Sequence, residues 1–312
     1  MIAFGPVPSR RLGLSLGINN IVSRKVCSYS CVYCQIGETQ SKSALRTVFY
    51  EPGKLIENVG NHLEKLDERH QPDYLTFVAN GEPTLDINLG EEIRLLKRFG
   101  IPVAVITNSS LLHLPEVRDD LREADWVSVK VDTVNELAWR KINRPPVFLK
   151  LKEVLSGIRH FANEYDGKLH TETMLVQGFN DSEKQIRETA QFISGLNPAS
   201  AYLSIPTRPP AVKNVKPVSE EILTAAWQIF SESGINTELL AGFEGTDTGF
   251  TGNAFDDILN ICAVHPLRQD TMQELLKKDN TDMSVIESLV FQRLIKKVKY
   301  EGMDYYLRSY HF

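Results

Sequence analysis

Cysteines 27, 31 and 34 stand within the stretch Cys27-Ser28-Tyr29-Ser30-Cys31-Val32-Tyr33-Cys34, while the fourth cysteine of the chain, Cys262, lies far downstream. Three thiolates on one tight loop can each hold an iron of a cubane cluster, whereas a closed electron-transfer centre requires a fourth protein thiolate. The missing ligand leaves one iron open to a small molecule, by the logic that leaves a catalytic zinc its open position. A zinc knuckle would pair C-x-x-C units with a nearby His-x-x-x-His, and the next histidine here is His62. A disulfide is not expected where cysteine is this scarce and no signal peptide precedes it.

Such a loop needs a scaffold that brings other polar groups to it. The 312 residues are 42% hydrophobic and 24% charged, a globular composition with length for one large domain and a small one. No apolar run approaches the ~18 residues of a membrane span, so a membrane role has no support and the expected setting is the cytoplasm. A formal net charge of -5 argues against a globally basic nucleic-acid binder and leaves room for a local basic patch.

The scaffold reads as alternating strands and helices. The opening arm, Phe4 to Asn19, is punctuated by Gly and Pro and is expected to be irregular until a first strand before the cysteine loop. Apolar runs at 74–79, 103–106, 126–132, 169–176 and 201–207 supply five more strands. Helical patterns lie near 52–68, 89–99, 115–123 and 149–165, and another helix, capped by Asp181 or Ser182, runs to Leu196. This alternation predicts an α/β fold, a partial (β/α)6 barrel with parallel strands, right-handed crossovers and an open side for substrate.

Functional groups in such sheets gather where strands end. Asn108, Ser128, Lys130 and Asp132 are therefore expected on the rim that carries the cysteine loop. Gly81 permits close backbone approach, and Glu82, followed by Pro83, offers a carboxylate to an ammonium group; a plain turn with an exposed glutamate is the alternative. Arg10 and Arg11 suit a substrate phosphate or carboxylate, or form a solvated or structurally paired couple. Lys130 is open to an acid on a ligand or to a salt bridge with a neighbouring side chain. The stretch Trp139-Arg140-Lys141-Ile142-Asn143-Arg144-Pro145-Pro146 fits either a ribose-phosphate surface or a solvated loop.

The cysteine spacing, with Tyr33 before the last thiol, resembles the CxxxCxΦC signature of radical S-adenosylmethionine (SAM) enzymes. That resemblance implies a [4Fe-4S] cluster on Cys27, Cys31 and Cys34, an open iron that chelates SAM, and Tyr33 near the adenine. It implies that Gly81, Glu82 and Pro83 form the element receiving the SAM amine, with Asn80 in place of the family's first glycine. Ser128 and Asp132 then face the SAM carboxylate and ribose, and Val176 and Gly178 approach the adenine. An electron donor such as ferredoxin or flavodoxin is implied as a partner. The arm Pro8-Ser9-Arg10-Arg11-Leu12-Gly13, followed by Ser15-Leu16-Gly17, is similar to the lead-in of wybutosine-synthesis-like proteins, which act on a guanine of tRNA. Those enzymes carry extra N-terminal cysteines for a second cluster used with pyruvate; this chain has none, so pyruvate condensation is not implied.

A Gly-, Thr- and Asp-rich segment from Gly242 to Gly252 marks a boundary, giving expected domains at 1–245 and 253–312. Helices near 254–264, 269–277 and 281–296, then a strand pair at 298–300 and 305–308, resemble a winged helix-turn-helix. With eight Lys/Arg against nine Asp/Glu over 253–312, this module is no basic wedge, although Lys296, Lys297 and Lys299 cluster. Cys262 reads as a buried apolar thiol. Three functions follow: a radical SAM enzyme acting on a tRNA nucleoside, one modifying a peptide or protein, and a redox-sensing winged-helix regulator.

Overall fold

The computed structural model describes residues 2–21 and 25–309. In chain order its first elements are β1 (Ala3–Ser9), β2 (Gly13–Ile18), β3 (Val26–Cys27), β4 (Ser41–Lys42), α1 (Pro52–Leu63), β5 (Tyr74–Phe77), α2 (Leu89–Leu96), β6 (Val103–Thr107), α3 (Pro115–Arg122) and β7 (Trp126–Lys130). There follow α4 (Glu136–Ile142), α5 (Leu151–Glu164), β8 (Lys168–Met174), α6 (Glu183–Ser194), β9 (Ser200–Ser204), α7 (Glu220–Glu232) and β10 (Thr237–Leu240). One eight-stranded sheet has the order β1-β2-β5-β6-β7-β8-β9-β10. From β2 to β10 every neighbour is parallel, as helical crossovers require. The sheet curls into a half-barrel.

Period-two alternation decides which side chains meet which layer. Leu75, Phe77, Val103, Val105, Val127 and Val129 are fully buried beneath the helices, against Leu55, Leu89 and Ile93. The alternate residues point into the barrel. There Trp126, His170 and Tyr202 stack on neighbouring strands, with ring centroids 4.7 and 5.5 Å apart. Above this aromatic floor the inward positions turn polar, with Lys130, Glu172 and Ser204 toward the strand ends.

Several expectations need correction. The arm is not irregular: β1 pairs antiparallel with β2, and Pro6 and Pro8 are tolerated because β1 is an edge strand. The segment Trp139–Ile142 belongs to α4, begun by Asn135, whose side chain accepts from the Ala138 amide. Ser182 occupies the position before α6 without a side-chain cap. α7 and β10, which the six-strand expectation does not include, add a strand at the far edge.

Beyond β10 lie α8 (Ala254–Val264), β11 (Leu267–Arg268), α9 (Gln269–Lys278), α10 (Ser284–Phe291), β12 (Ile295–Tyr300) and β13 (Met303–Arg308), the strands forming a three-stranded sheet β11-β13-β12. Their core, including Ile258, Ile261, Cys262, Leu275 and Leu289, also takes in Phe4 and Val7 of β1. The Gly242–Gly252 segment is packed rather than open, since Gly249 N donates to Pro6 O (2.6 Å) and Arg10 Nη1 to Gly242 O (2.7 Å). Tyr300 and Tyr305 hydroxyls donate to the Pro206 and Thr207 carbonyls, each at 3.0 Å. The side of the half-barrel expected to stand open is thus covered by the chain's own last segment. No helix among the described residues is long and apolar enough to cross a membrane.

Phe4 belongs to the core of the terminal module and is seated over Gly17 of β2, where a Cβ would come within 2.0 Å of its ring. Phe4→Ala is expected to cost about 3–5 kcal/mol in urea unfolding; a loss below about 1 kcal/mol would show that the two parts do not share a core.

Candidate functional site

The cysteine loop is pinned to the sheet through backbone. Val26, next to Cys27, donates its N–H to Asn80 O (3.2 Å), and its carbonyl accepts from Glu82 N (3.0 Å). Between those two bonds sits Gly81 at φ 147°, where a Cβ would lie 1.7 Å from the Val26 carbonyl oxygen. Only glycine permits that approach. The other flank is held by Ser30 N to Asn143 O (3.0 Å) and Val32 N to Ile142 O (2.9 Å). Beneath the loop Trp139 is buried, its ring edge-on to Tyr29 at 5.9 Å and its Nε1 donating to the Tyr29 hydroxyl at 3.2 Å. The aromatic assigned to a surface is therefore a support for the cysteine loop.

Each thiol receives an N–H donor from a different part of the chain. Asn108 Nδ2 lies 3.3 Å from Cys27 Sγ, Asn143 Nδ2 3.4 Å from Cys31 Sγ, and Lys25 Nζ 3.1 Å from Cys34 Sγ. Burial pushes the Cys27 thiol up to about 12 and the Cys31 thiol up to about 11, so as thiolates they require cationic partners. Burial disfavours the Lys25 ammonium, but the sulfurs of Cys34 and Cys27 hold its pKa above the usual lysine value. Among the described residues no three His, Cys, Asp or Glu side chains converge on one ion position. Three thiols spread this way, each with its own donor, suit an iron–sulfur cluster, where each sulfur binds a different iron, better than a single zinc. The residues present fit such a cluster.

The loop faces a cavity of about 330 Å³ lined by Cys27, Cys31, Tyr33 and Cys34 and by the strand ends Gly81, Glu82, Thr107, Asn108 and Lys130. Glu82 is buried on this wall. Its carboxylate accepts from Thr107 Oγ1 (2.6 Å), Thr84 Oγ1 (2.6 Å) and the Asn108 amide (2.7 Å). Burial raises its pKa, against the lowering effect of those bonds. Pro83 opens a single 3-10 turn, and its carbonyl accepts from Asn20 (3.1 Å); it does not line the cavity.

Other expected residues fall into a supporting layer. Asp132 accepts from the Tyr33 hydroxyl, Asn143 Nδ2 (2.7 Å) and Met174 N (3.0 Å), so it braces Tyr33 and Asn143 from behind rather than facing the cavity. Ser128 lies deeper in the barrel, opposite His170 in the strand register, about 6–7 Å further down β7 than Lys130. Val176 is buried against Val32 and Tyr33. Gly178 is exposed in the following turn, bonded to Asp181 (2.8 Å). Neither of these two lines the cavity.

Two carboxylates absent from the sequence reading organise the cations. Glu172 accepts from Arg11, Lys130 Nζ (2.8 Å) and Ser204 Oγ (2.9 Å). Burial opposes its charge, yet Lys130 and Arg11 hold its carboxyl well below the usual range. Burial likewise opposes the Lys130 ammonium, while Glu172 and Asp132 hold it above the usual lysine value. Glu244 pairs with Arg208 and lies 3.4 Å from His265 and 3.9 Å from Arg10. Burial lowers the Arg208 pKa to about 10; burial and the Arg208 charge also hold His265 well below the usual histidine value. Among the described lining residues Arg10, Arg11, Lys25, Lys130 and Arg208 face Glu82, Glu172, Glu244 and the three cysteine sulfurs, so the cations of the wall are met by carboxylates and sulfurs.

Comparison with known proteins agrees with this geometry. The sequence pattern of the radical SAM superfamily matches residues 21–193, more than half of the chain. A UPF0026 protein of Methanocaldococcus jannaschii is 46% identical over 310 residues, covering 99% of this chain and 96% of its own. A UPF0026 protein of Helicobacter pylori is 31% identical over 307 residues, with coverage of 98% and 97%. The crystal structure of a radical SAM methyltransferase from Sphaerobacter thermophilus superimposes with a TM-score of 0.53 at 18% identity, over 73% of this chain and 66% of that one, a likeness of fold.

Glu172→Gln strands two buried cations and is expected to cost about 3–5 kcal/mol at neutral pH. Because the native carboxyl is depressed, its contribution is whole above the unfolded value of about 4.3 and shrinks as pH falls below it. The gap between wild type and variant in urea unfolding should hold from pH 7 to 5 and narrow below pH 4; a gap that widens on acidification contradicts the assignment.

Proposed function

Because the chain belongs to the radical SAM superfamily and groups with the UPF0026 proteins, we propose that Cys27, Cys31 and Cys34 hold one [4Fe-4S] cluster whose open iron binds SAM. It is an enzyme of that superfamily, which sets aside the reading as a regulator that only senses redox state. When bound and reduced by one electron, that pair supplies a 5′-deoxyadenosyl radical that abstracts hydrogen from a substrate. The observation that carries this reading is the set of three thiols, each with its own N–H donor, facing a cavity whose wall holds Glu82 and Asn108.

The chain's own residues bind and orient. Glu82, fixed by Thr84, Thr107 and Asn108, offers a carboxylate edge to the SAM amine. Tyr33, steered by its hydroxyl bond to Asp132, presents its ring to the adenine. Lys130 and Arg11 are shared with Glu172, so their part is to set the field of the barrel interior. Arg10 and Arg208 lie toward the terminal module, where both pair with Glu244; we assign them to a substrate acid that would compete with that carboxylate. The electron donor we expect is a ferredoxin or flavodoxin, and the setting the cytoplasm.

For the substrate we favour a nucleoside in tRNA. The arm Pro8-Ser9-Arg10-Arg11-Leu12-Gly13, the arginines and lysines on the cavity wall and the likeness of the last segment to a winged helix support it. A second reading, modification of a peptide or protein, draws on α10, which carries Glu287 and no basic residue and ends in Phe291, 88% exposed. Such a surface suits an apolar partner better than a phosphate backbone.

Anaerobic reconstitution with iron and sulfide, then reduction with dithionite in the presence of SAM, should yield 5′-deoxyadenosine. Replacing any one of Cys27, Cys31 or Cys34 by Ala should bring that yield to background. An intact cluster that forms no 5′-deoxyadenosine refutes the enzyme reading. Co-purified tRNA protected at one base would support the nucleoside substrate, and a bound peptide the other.

A further inference from the structure

We propose that Lys25 is a positioning residue that sets the reduction potential of the cluster on its loop, a role that rests on the radical SAM reading above. The side-chain donors to the three cysteine sulfurs differ in kind. Asn108 and Asn143 offer neutral amides to Cys27 and Cys31, whereas Lys25 offers an ammonium to Cys34 at 3.1 Å. Lys25 is 9% exposed and lies on the cavity wall. It forms no ion pair with a carboxylate among the described residues; its other bond is to the Gly37 carbonyl at 2.5 Å. The charge is therefore aimed at the sulfurs, and the second bond holds it there.

The consequence follows from charge. Reduction moves one electron from an external one-electron donor, which is oxidised, to the cluster, with no proton transferred and no bond broken. The cluster's negative charge grows by one, so a nearby buried cation stabilises the reduced form more than the oxidised form. Hydrogen bonds to the sulfurs and net charge are the levers by which a protein tunes such a centre. A neutral amide acts in the same direction with less force, since hydrogen bonds from charged donors are roughly twice as strong. Cys34 is accordingly the corner of the loop where the chain biases the centre toward reduction.

Gly37 N also donates to Cys34 O at 3.0 Å, so Lys25 closes a turn around the third cysteine. A purely architectural role would be to hold that turn. Two substitutions separate the roles: Lys25→Met removes the charge, and Lys25→Arg keeps it.

The test is an EPR-monitored redox titration of the full chain, anaerobically reconstituted, without SAM, alongside iron and sulfide analysis. For Lys25→Met we expect iron content and line shape as in the wild type and a reduction equilibrium at least about tenfold less favourable, a midpoint lower by about 59 mV for a one-electron couple. Lys25→Arg should stay within about threefold of the wild type, less than 30 mV. The proposal is overturned if Lys25→Met with an intact cluster titrates as the wild type, if the two variants shift alike, or if both lose their iron. A wild-type chain that assembles no cluster refutes the functional reading itself, a result recognisable before any titration.

Discussion

The site depends on the backbone contact between Val26 and the turn at Gly81. A loop with three thiols has no regular structure of its own to hold it, and β3 and β4 are only two residues each. What fixes it is a short stretch of parallel pairing to the chain leaving β5, possible only because residue 81 has no side chain. The following residue is Glu82, so one contact places both the first cysteine and the carboxylate on the same wall. Asn108 then ties them together, its amide N–H on Glu82 and its side chain on Cys27.

A second constraint is electrostatic. A half-barrel with buried cations is stable only if each has a partner, and this chain supplies Glu172 for Arg11 and Lys130, and Glu244 for Arg208 and Arg10. These carboxylates come from β8 and from the segment after β10. Since the second segment also packs on Pro6 of β1, the charge pairing and the covering of the open side are one arrangement. Gln35 extends it to the cysteine loop, donating to Val264 O (2.9 Å) and accepting from Arg208 (2.9 Å).

Much of this was legible in the sequence, for physical reasons that also mark where legibility ends. Cysteine spacing is local, and the six central strands declare themselves by apolar runs between helical patterns, so the loop and the barrel core could be read directly. Gly81 and Glu82 followed from standing at a strand end. Asn143, Glu172, Arg208 and Glu244 were not singled out, because each acquires its role from a partner tens or hundreds of residues away; Lys25 stands nine residues from Cys34, but only the fold of the loop brings its ammonium back onto that sulfur. A signal did exist for Glu172: in Lys168–Met174 the residues His170, Glu172 and Met174 share a face, and parallel pairing sets Glu172 opposite Lys130. Asp132 and Ser128 were expected at the rim on strand position alone, but Asp132 turns behind Tyr33 and Ser128 lies one inward position too deep. Trp139 was misread because its neighbours are basic, whereas the Asn135 cap three residues before Ala138 marked the helix that buries it.

Three cysteines on a four-iron cluster would leave one iron free for SAM. ENDOR spectroscopy of the reduced, reconstituted chain with SAM labelled at the amine nitrogen and carboxylate oxygen tests it most directly. Hyperfine coupling from both labels is expected, since the amine and carboxylate would bind the open iron together. A reduced cluster whose spectrum shows neither coupling at saturating SAM would contradict it.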